Sequence, residues 1–194
     1  MEKAPSGLEL DAATDDELVA RTLAGEGEAF GTLWDRHSPR VYSYAYRRLG
    51  DREQAEDVTA ETFRRALAKL GTYRGGGFRS WLFAIAHNAI IDEVRARRPF
   101  VVLDTASDQA DIPAPDYVAL ANAEMSLVFD LLPRLTAGQR EVIELRLAGL
   151  APQEIAQALG KGRPAIDMAH HRAVERLRSL LGISDETAGG RRYA

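Results

Sequence analysis

The stretch from Tyr73 to Arg98 is the part of the chain best equipped for chemistry on a ligand. Tyr73, Phe78 and Trp81 stand among Arg74, Arg79, Arg95, Arg97 and Arg98. Asn88, Asp92 and Arg95 recur at i, i+4 and i+7, so on a helix they share one face. Rings stack unpaired nucleobases while guanidinium groups hold phosphate, which is how single-stranded nucleic acid is gripped. An ordinary amphipathic helix with Trp81 in the core fits the same pattern. The Gly75–Gly77 run ahead of it has no Lys-Ser/Thr ending and no preceding strand, so it is not a nucleotide-phosphate loop.

Two further charged constellations flank this one. After Gly50, a helical stripe of Ala55, Val58, Thr62, Phe63, Ala66, Leu67 and Leu70 faces a core. Glu56, Asp57, Glu61, Arg64 and Arg65 take the remaining surface. Such a face either pairs within itself, as Glu61 with Arg65 at i, i+4, or meets a charged partner. Further on, residues 152–181 read as a short helix, a Gly160-Lys161-Gly162 turn and a longer helix. That is the helix-turn-helix layout, whose second helix enters the major groove. Ile155, Ala156, Leu159, Ile166, Ala173, Val174, Leu177 and Leu181 should point inward, leaving Lys161, Arg163, Arg172, Arg176 and Arg178 for phosphate. A helical hairpin without DNA function is the alternative. Asp167 is the discordant residue: phosphate repels it, although Asp accepts from cytosine N4.

Enzymatic constellations are missing. The four histidines, His37, His87, His170 and His171, form no metal-binding pattern, and the absence of Cys excludes thiolate sites and disulfides. No nucleophile elbow, Walker loop or dinucleotide fingerprint occurs. The expectation is a non-enzyme with no cofactor and no metal.

Helices must position these residues. Thr14 with Glu17, Asp51 with Gln54 and Thr136 with Gln139 fit the capping-box pattern. Gly25 with Gly27, Gly50, Gly71, Gly149, Gly160 and Gly182 mark stops. The spacing predicts helices over 15–24, 27–49, 52–70, 78–97, 117–132, 137–148, 152–159 and 164–181, and no strand. Between Pro99 and Asp116 the pattern breaks into an acidic, proline-containing linker. The expected organisation is all-α: a frayed tail at 1–13, a helical domain at 14–98, the linker at 99–116, a second helical domain at 117–183 and a tail at 184–194. No apolar run is long enough for a membrane span, and the N-terminus has no signal-peptide pattern.

The net charge of −4 argues against a nucleic-acid partner only until it is resolved by position. Asp104, Asp108, Asp111, Asp116 and Glu124 fall in a stretch without Lys or Arg. Residues 64–98 hold eight basic groups against Asp92 and Glu93. Screening limits the reach of distant charge to roughly 8 Å at physiological salt, so the basic patch acts locally.

The combination resembles the sigma-70 family of bacterial RNA polymerase sigma factors, in its extracytoplasmic-function (ECF) group. Gln54-Ala55-Glu56-Asp57-Val58-Thr59 with Glu61-Thr62-Phe63 resembles the polymerase-binding helix of region 2. Phe78-Arg79-Ser80-Trp81-Leu82 with Ile85-Ala86, Asn88, Asp92 and Arg95 resembles its promoter-melting helix, and Leu18, Phe30, Leu33 and Trp34 fit the helices ahead of it. Leu132-Pro133, Arg140-Glu141-Val142, Leu145-Arg146, Glu154-Ile155-Ala156, Leu159-Gly160, His171-Arg172-Ala173 and Leu177-Arg178 resemble region 4. Ala151 departs from the usual Ser or Thr cap, and Asp167, Met168 and Ala169 stand where a basic residue is commoner.

The resemblance implies a factor that binds the polymerase core, directs it to promoters and helps open the duplex. Asp51, Glu56, Asp57, Glu61, Arg64 and Arg65 would engage the clamp helices. Tyr73, Arg74, Phe78, Arg79, Trp81, Asn88, Asp92, Arg95, Arg97 and Arg98 would serve the −10 element. Lys161, Arg163, Ala165, Asp167, Met168, His171, Arg172 and Arg176 would serve the −35 element, with the polymerase flap also touching region 4. An anti-sigma factor is an implied partner, membrane insertion is not expected, and the cytoplasm is the expected location. The rival readings are a helix-turn-helix regulator that needs no polymerase and a divergent sigma-like protein acting through a regulatory protein.

Overall fold

The computed structural model describes residues 7–96 and 123–183. Arg97, Arg98, the acidic linker, residues 117–122 of an expected helix and both chain ends lie outside the described residues. Those described fold as α1 (Gly7–Ala12), α2 (Asp15–Leu23), α3 (Gly27–Leu49), α4 (Arg52–Lys69), α5 (Phe78–Ala96), α6 (Ala123–Leu131), α7 (Ala137–Leu147), α8 (Pro152–Leu159) and α9 (Arg163–Leu180). Short 3-10 turns follow α4 at Leu70–Thr72 and α6 at Leu132–Arg134. Among the described residues there is no strand.

Local chemistry explains most boundaries. Thr14 Oγ1 accepts from the Glu17 backbone N–H at 3.3 Å, and Glu17 accepts from the Thr14 N–H at 2.7 Å, closing a capping box on α2. Asp51 accepts from the Gln54 N–H at 3.0 Å, but the buried Gln54 Oε1 has no partner, so this cap is one-sided. Gln139 accepts from the Thr136 N–H at 3.0 Å. Ala151 has no side-chain oxygen, and Glu154 compensates by accepting from the Ala151 N–H at 2.7 Å. Gly50 and Gly160 end their helices at φ 69° and 61°, the left-handed region that glycine occupies without penalty.

Three expectations need correction. The segment 7–12 is helical rather than frayed, because Leu10 is buried against the bundle. Gly71 is not a left-handed stop; it sits inside a 3-10 turn. Leu67 and Leu181, expected to face inward, are exposed at 50% and 39%, while Thr59 is buried beside the expected stripe. Thr59 and Thr62 manage this by donating to the Ala55 and Val58 carbonyls at 2.6 and 2.7 Å.

α2 to α5 pack as a bundle around Leu18, Leu33, Tyr44, Phe63, Leu82, Phe83 and Ile90, all essentially inaccessible. Each such side chain contributes roughly 1.5–3 kcal/mol by leaving water. This core does not stop at α5. It runs on into Leu145, Leu150, Ile155, Ala158 and Ile166, so α7 and α8 share it. Region 123–183 has a smaller second core of Leu132, Leu135, Ile143, Ala173 and Leu177. The two helical units are thus packed together, α8 lying along α5 and α7 against α3.

Candidate nucleic-acid interface

The glycine loop and the start of α5 form one unit. Gly75, Gly76 and Gly77 all have positive φ, at 79°, 88° and 119°. The Tyr73 hydroxyl accepts from the Gly77 N–H at 3.1 Å and donates to Asp16 on α2 at 2.6 Å. Burial, then the Asp16 carboxylate, pushes the Tyr73 phenol up to about 12, so it stays protonated as a donor. Tyr73, Phe78 and Trp81 pack mutually with centroids 5.4–6.0 Å apart. Trp81 is half-buried, supported on one side by rings. Phe78 is fully buried, and Arg74 donates to the Gly71 carbonyl at 2.8 Å.

Further along α5, Asn88, Asp92 and Arg95 are exposed. Asp92 accepts from Arg65 at 2.8 Å, and Arg65 also donates to Glu61 at 2.6 Å, which ties the charged face of α4 to α5. Glu61 bridges Arg64 as well, and hydrogen bonds from Arg64 and Arg65 push its carboxyl down to about 2. Glu56 pairs with Arg52 at 3.0 Å, Asp57 is exposed, and Asp51 is used as the α4 cap. Beside Glu56 lies an open groove of about 480 Å³ lined by Trp34, Pro39, Tyr42, Arg52 and Thr59. Sequence reasoning missed this groove, though Pro39 inside a helix was a signal, since it has no N–H to give the preceding turn.

Arg79 stands apart from the other α5 candidates. It turns to α8 and donates to both oxygens of Glu154, at 3.0 and 2.6 Å. The neighbouring Ser80 hydroxyl reaches Gln157 at 2.9 Å. A second polar junction surrounds Glu144 of α7, which is 0% exposed. Arg140 and Arg48 contact its two oxygens at 2.6 and 3.3 Å, Arg140 also donates to the Arg47 carbonyl, and Arg47 lies over the Phe129 ring. Burial dominates here and raises the Glu144 carboxyl despite Arg48, Arg140 and Arg47. Charge order along the sequence gave no hint of these contacts.

On α9, Ala165, Met168, Arg172 and Arg176 are exposed. Arg163 is committed to Asp167 at 2.8 and 2.9 Å, so the discordant carboxylate is neutralised by a partner four residues earlier. Lys161 pairs with Glu141 at 2.7 Å and His171 with Glu175 at 3.2 Å. No group of three His, Cys, Asp or Glu among the described residues could hold a metal, and no described helix is long and apolar enough to cross a membrane.

Known proteins bear on this geometry directly. The sigma-70 region 2 family model matches residues 33–100, and the sigma-70 region 4 model matches 126–177. The chain is 39% identical over 178 residues to the ECF RNA polymerase sigma factor BldN of Streptomyces coelicolor, covering 88% of this chain and 67% of that protein. It is 36% identical over 171 residues to the ECF sigma factor SigL of Mycobacterium tuberculosis, covering 84% and 94%. The chain belongs to the sigma-70 family, in its ECF group. Among solved structures, CnrH in complex with the cytosolic domain of CnrY is 30% identical with a TM-score of 0.67, over 88% of this chain and 99% of that one. The sigma factor RpoE of Bartonella quintana, solved with the anti-sigma factor NepR, is 24% identical with a TM-score of 0.60, over 80% and 98%, and shares the fold.

This sigma factor is therefore a non-enzymatic initiation factor that directs RNA polymerase to promoters. The regulator that needs no polymerase is set aside by the region 2 match, which spans the α4 and α5 residues that such a regulator would not require.

Proposed function

We propose that the sigma factor divides its task among three helices. α4 presents Glu56, Asp57, Glu61, Arg64 and Arg65 to the polymerase clamp helices. α5 and the loop before it take the opened −10 strand, Trp81 stacking while Asn88, Asp92 and Arg95 line the track. α9 enters the −35 major groove with Ala165, Met168, Arg172 and Arg176 foremost, and region 4 meets the flap. The observation that carries this reading is the exposed Asn88–Asp92–Arg95 stripe continuing from the half-buried Trp81. A base laid on Trp81 gains about 1–3 kcal/mol, enough to offset an unpairing cost of about a few kcal/mol when several such contacts combine. The proposed location is the cytoplasm, and the proposed regulator is an anti-sigma factor; the complex of the relative CnrH with CnrY supports a protein partner.

Run-off transcription with purified bacterial core polymerase on a genomic promoter library tests the reading. Trp81→Ala and Asn88→Ala should lose promoter opening, read by permanganate reactivity of unpaired thymines, while retaining core binding. Equal loss of both would contradict the role given to α5, and absence of any promoter-specific product would overturn the division of labour.

A further inference from the structure

Two adjacent carboxylates open α2 and reach different partners. Asp15 accepts from Arg36 at 2.6 Å and lies 2.8 Å from Nε2 of the buried His37, which clamps α2 to α3. Asp16 reaches the glycine loop instead. It accepts from the Tyr73 hydroxyl at 2.6 Å, and the same hydroxyl accepts from the Gly77 N–H at 3.1 Å. We propose that Asp16 is a positioning residue for the −10 strand: through Tyr73 it holds the Gly75–Gly77 loop and the Trp81 ring in the shape that receives unpaired bases. Asp16 lies outside residues 33–100, the span matched by the region 2 model. The inference rests on the reading of α5 as the −10 helix.

A phenol oxygen accepts only in the directions that its own proton leaves open. Asp16 takes that proton and so turns the Tyr73 lone pairs toward Gly77. The link closes residues 73–77 into a ring that is pinned at both ends. At one end the Tyr73 N–H donates to the Leu70 carbonyl at 3.0 Å. At the other, the Gly77 carbonyl accepts from Ser80 Oγ at 2.8 Å and from the Trp81 N–H at 3.2 Å. A Cβ on Gly75 or Gly76 would meet no atom within 4 Å, so neither is glycine for want of space. Their φ values of 79° and 88° are the reason, and a run of glycines leaves an unbraced loop many other shapes. The Tyr73 ring also packs against Phe78 at 6.0 Å and Trp81 at 5.4 Å, so one side chain sets both the loop and the stacking face.

Ordering the loop in advance removes a cost that strand binding would otherwise bear. Charge argues the other way. Asp16 is an exposed carboxylate next to the track proposed for a strand of phosphates, and by Coulomb repulsion alone its removal should tighten DNA binding. The positioning role and the bare charge therefore predict effects of opposite sign.

The test uses holoenzyme assembled from the full-length chain and purified core polymerase, with a fluorescent single-stranded −10 oligonucleotide from a promoter found by run-off transcription. Asp16→Ala and Tyr73→Phe should each weaken oligonucleotide binding about fivefold, the factor one net hydrogen bond supplies. The double variant should be no weaker than either, because both changes break one link. Asp16→Asn keeps an acceptor for the phenol and should restore most of the affinity. Core binding and affinity for a −35 duplex should stay at parent values throughout. Tyr73→Phe removes a single oxygen and covers the case in which an Asp16 variant does not fold. Unchanged or tighter oligonucleotide binding by either single variant would overturn the positioning role. So would losses that multiply in the double variant, or a loss in Asp16→Asn equal to that in Asp16→Ala. A parent holoenzyme without affinity for the oligonucleotide would instead overturn the −10 reading of α5, and with it the role of Asp16.

Discussion

The Tyr44 hydroxyl on α3 lies 3.0 Å from Nδ1 of His87 on α5, and Nε2 of the same ring lies 3.4 Å from Glu141 on α7. With the phenol donating to Nδ1, the imidazole is neutral and its Nε2–H points at Glu141. Burial is the largest influence on His87 and lowers its acidity range, assisted by the cations Arg48 and Lys161 and opposed by Glu141. A histidine held neutral in the fold takes up its proton more readily when unfolded. Stability is then fully present above the ordinary value of 6.5 and falls as pH drops through the lowered folded value. Urea midpoints measured from pH 7.5 to 5 should decline, and His87→Gln should flatten that part of the profile.

Phe63 packs its ring against Phe30 at 6.2 Å and Trp34 at 4.5 Å and is 1% exposed. Phe63→Ala should cost about 3–5 kcal/mol in chemical denaturation. Trp34 loses its neighbouring ring in that variant, so its fluorescence should move to longer wavelength even where the fold persists.

Gly77 is at φ 119°, and a Cβ there would meet Ser80 Oγ at 3.1 Å. Gly77→Ala should lower stability by about 1–2 kcal/mol through backbone strain alone. Because Ser80 must also move, the contact with Gln157 should weaken, which thermal melts would register as a further loss.

Asp167→Ala frees Arg163 from its carboxylate partner on α9. Affinity for duplex −35 DNA should rise at low salt, and the slope of log affinity against log salt should steepen by about 0.9, the value for one added phosphate contact. An unchanged slope would mean that Arg163 does not reach the backbone.

The helices were legible because their signals are local. A box such as Thr14–Glu17 and an apolar arc such as Phe78, Leu82, Ile85, Ala86 and Ala89 depend on neighbours within two turns, and both are present as expected. The exposed stripe Asn88, Asp92 and Arg95 followed from helical spacing in the same way. What stayed hidden was set by partners far away in the chain. Nothing near Arg79 announces Glu154, 75 residues on, and nothing near Glu144 explains a carboxylate without solvent until Arg48 is placed beside it. Leu67 shows the opposite failure: it continues the α4 stripe by periodicity, yet the helix gives way to a 3-10 turn and no element among the described residues covers it.

The loop Gly75–Gly77 presents main chain and no side chains at the threshold of α5. A surface made of amides has no alphabet: it can offer donors and room, but it cannot tell one base from another by a side-chain edge. In the role proposed for α5, a −10 strand passing this loop would be admitted on shape, and spelling would be left to the residues on either side. Promoter preference in this sigma factor should consequently diversify by exchanges at positions such as Arg74, Asn88 and Arg95, while the doorway between them stays blank.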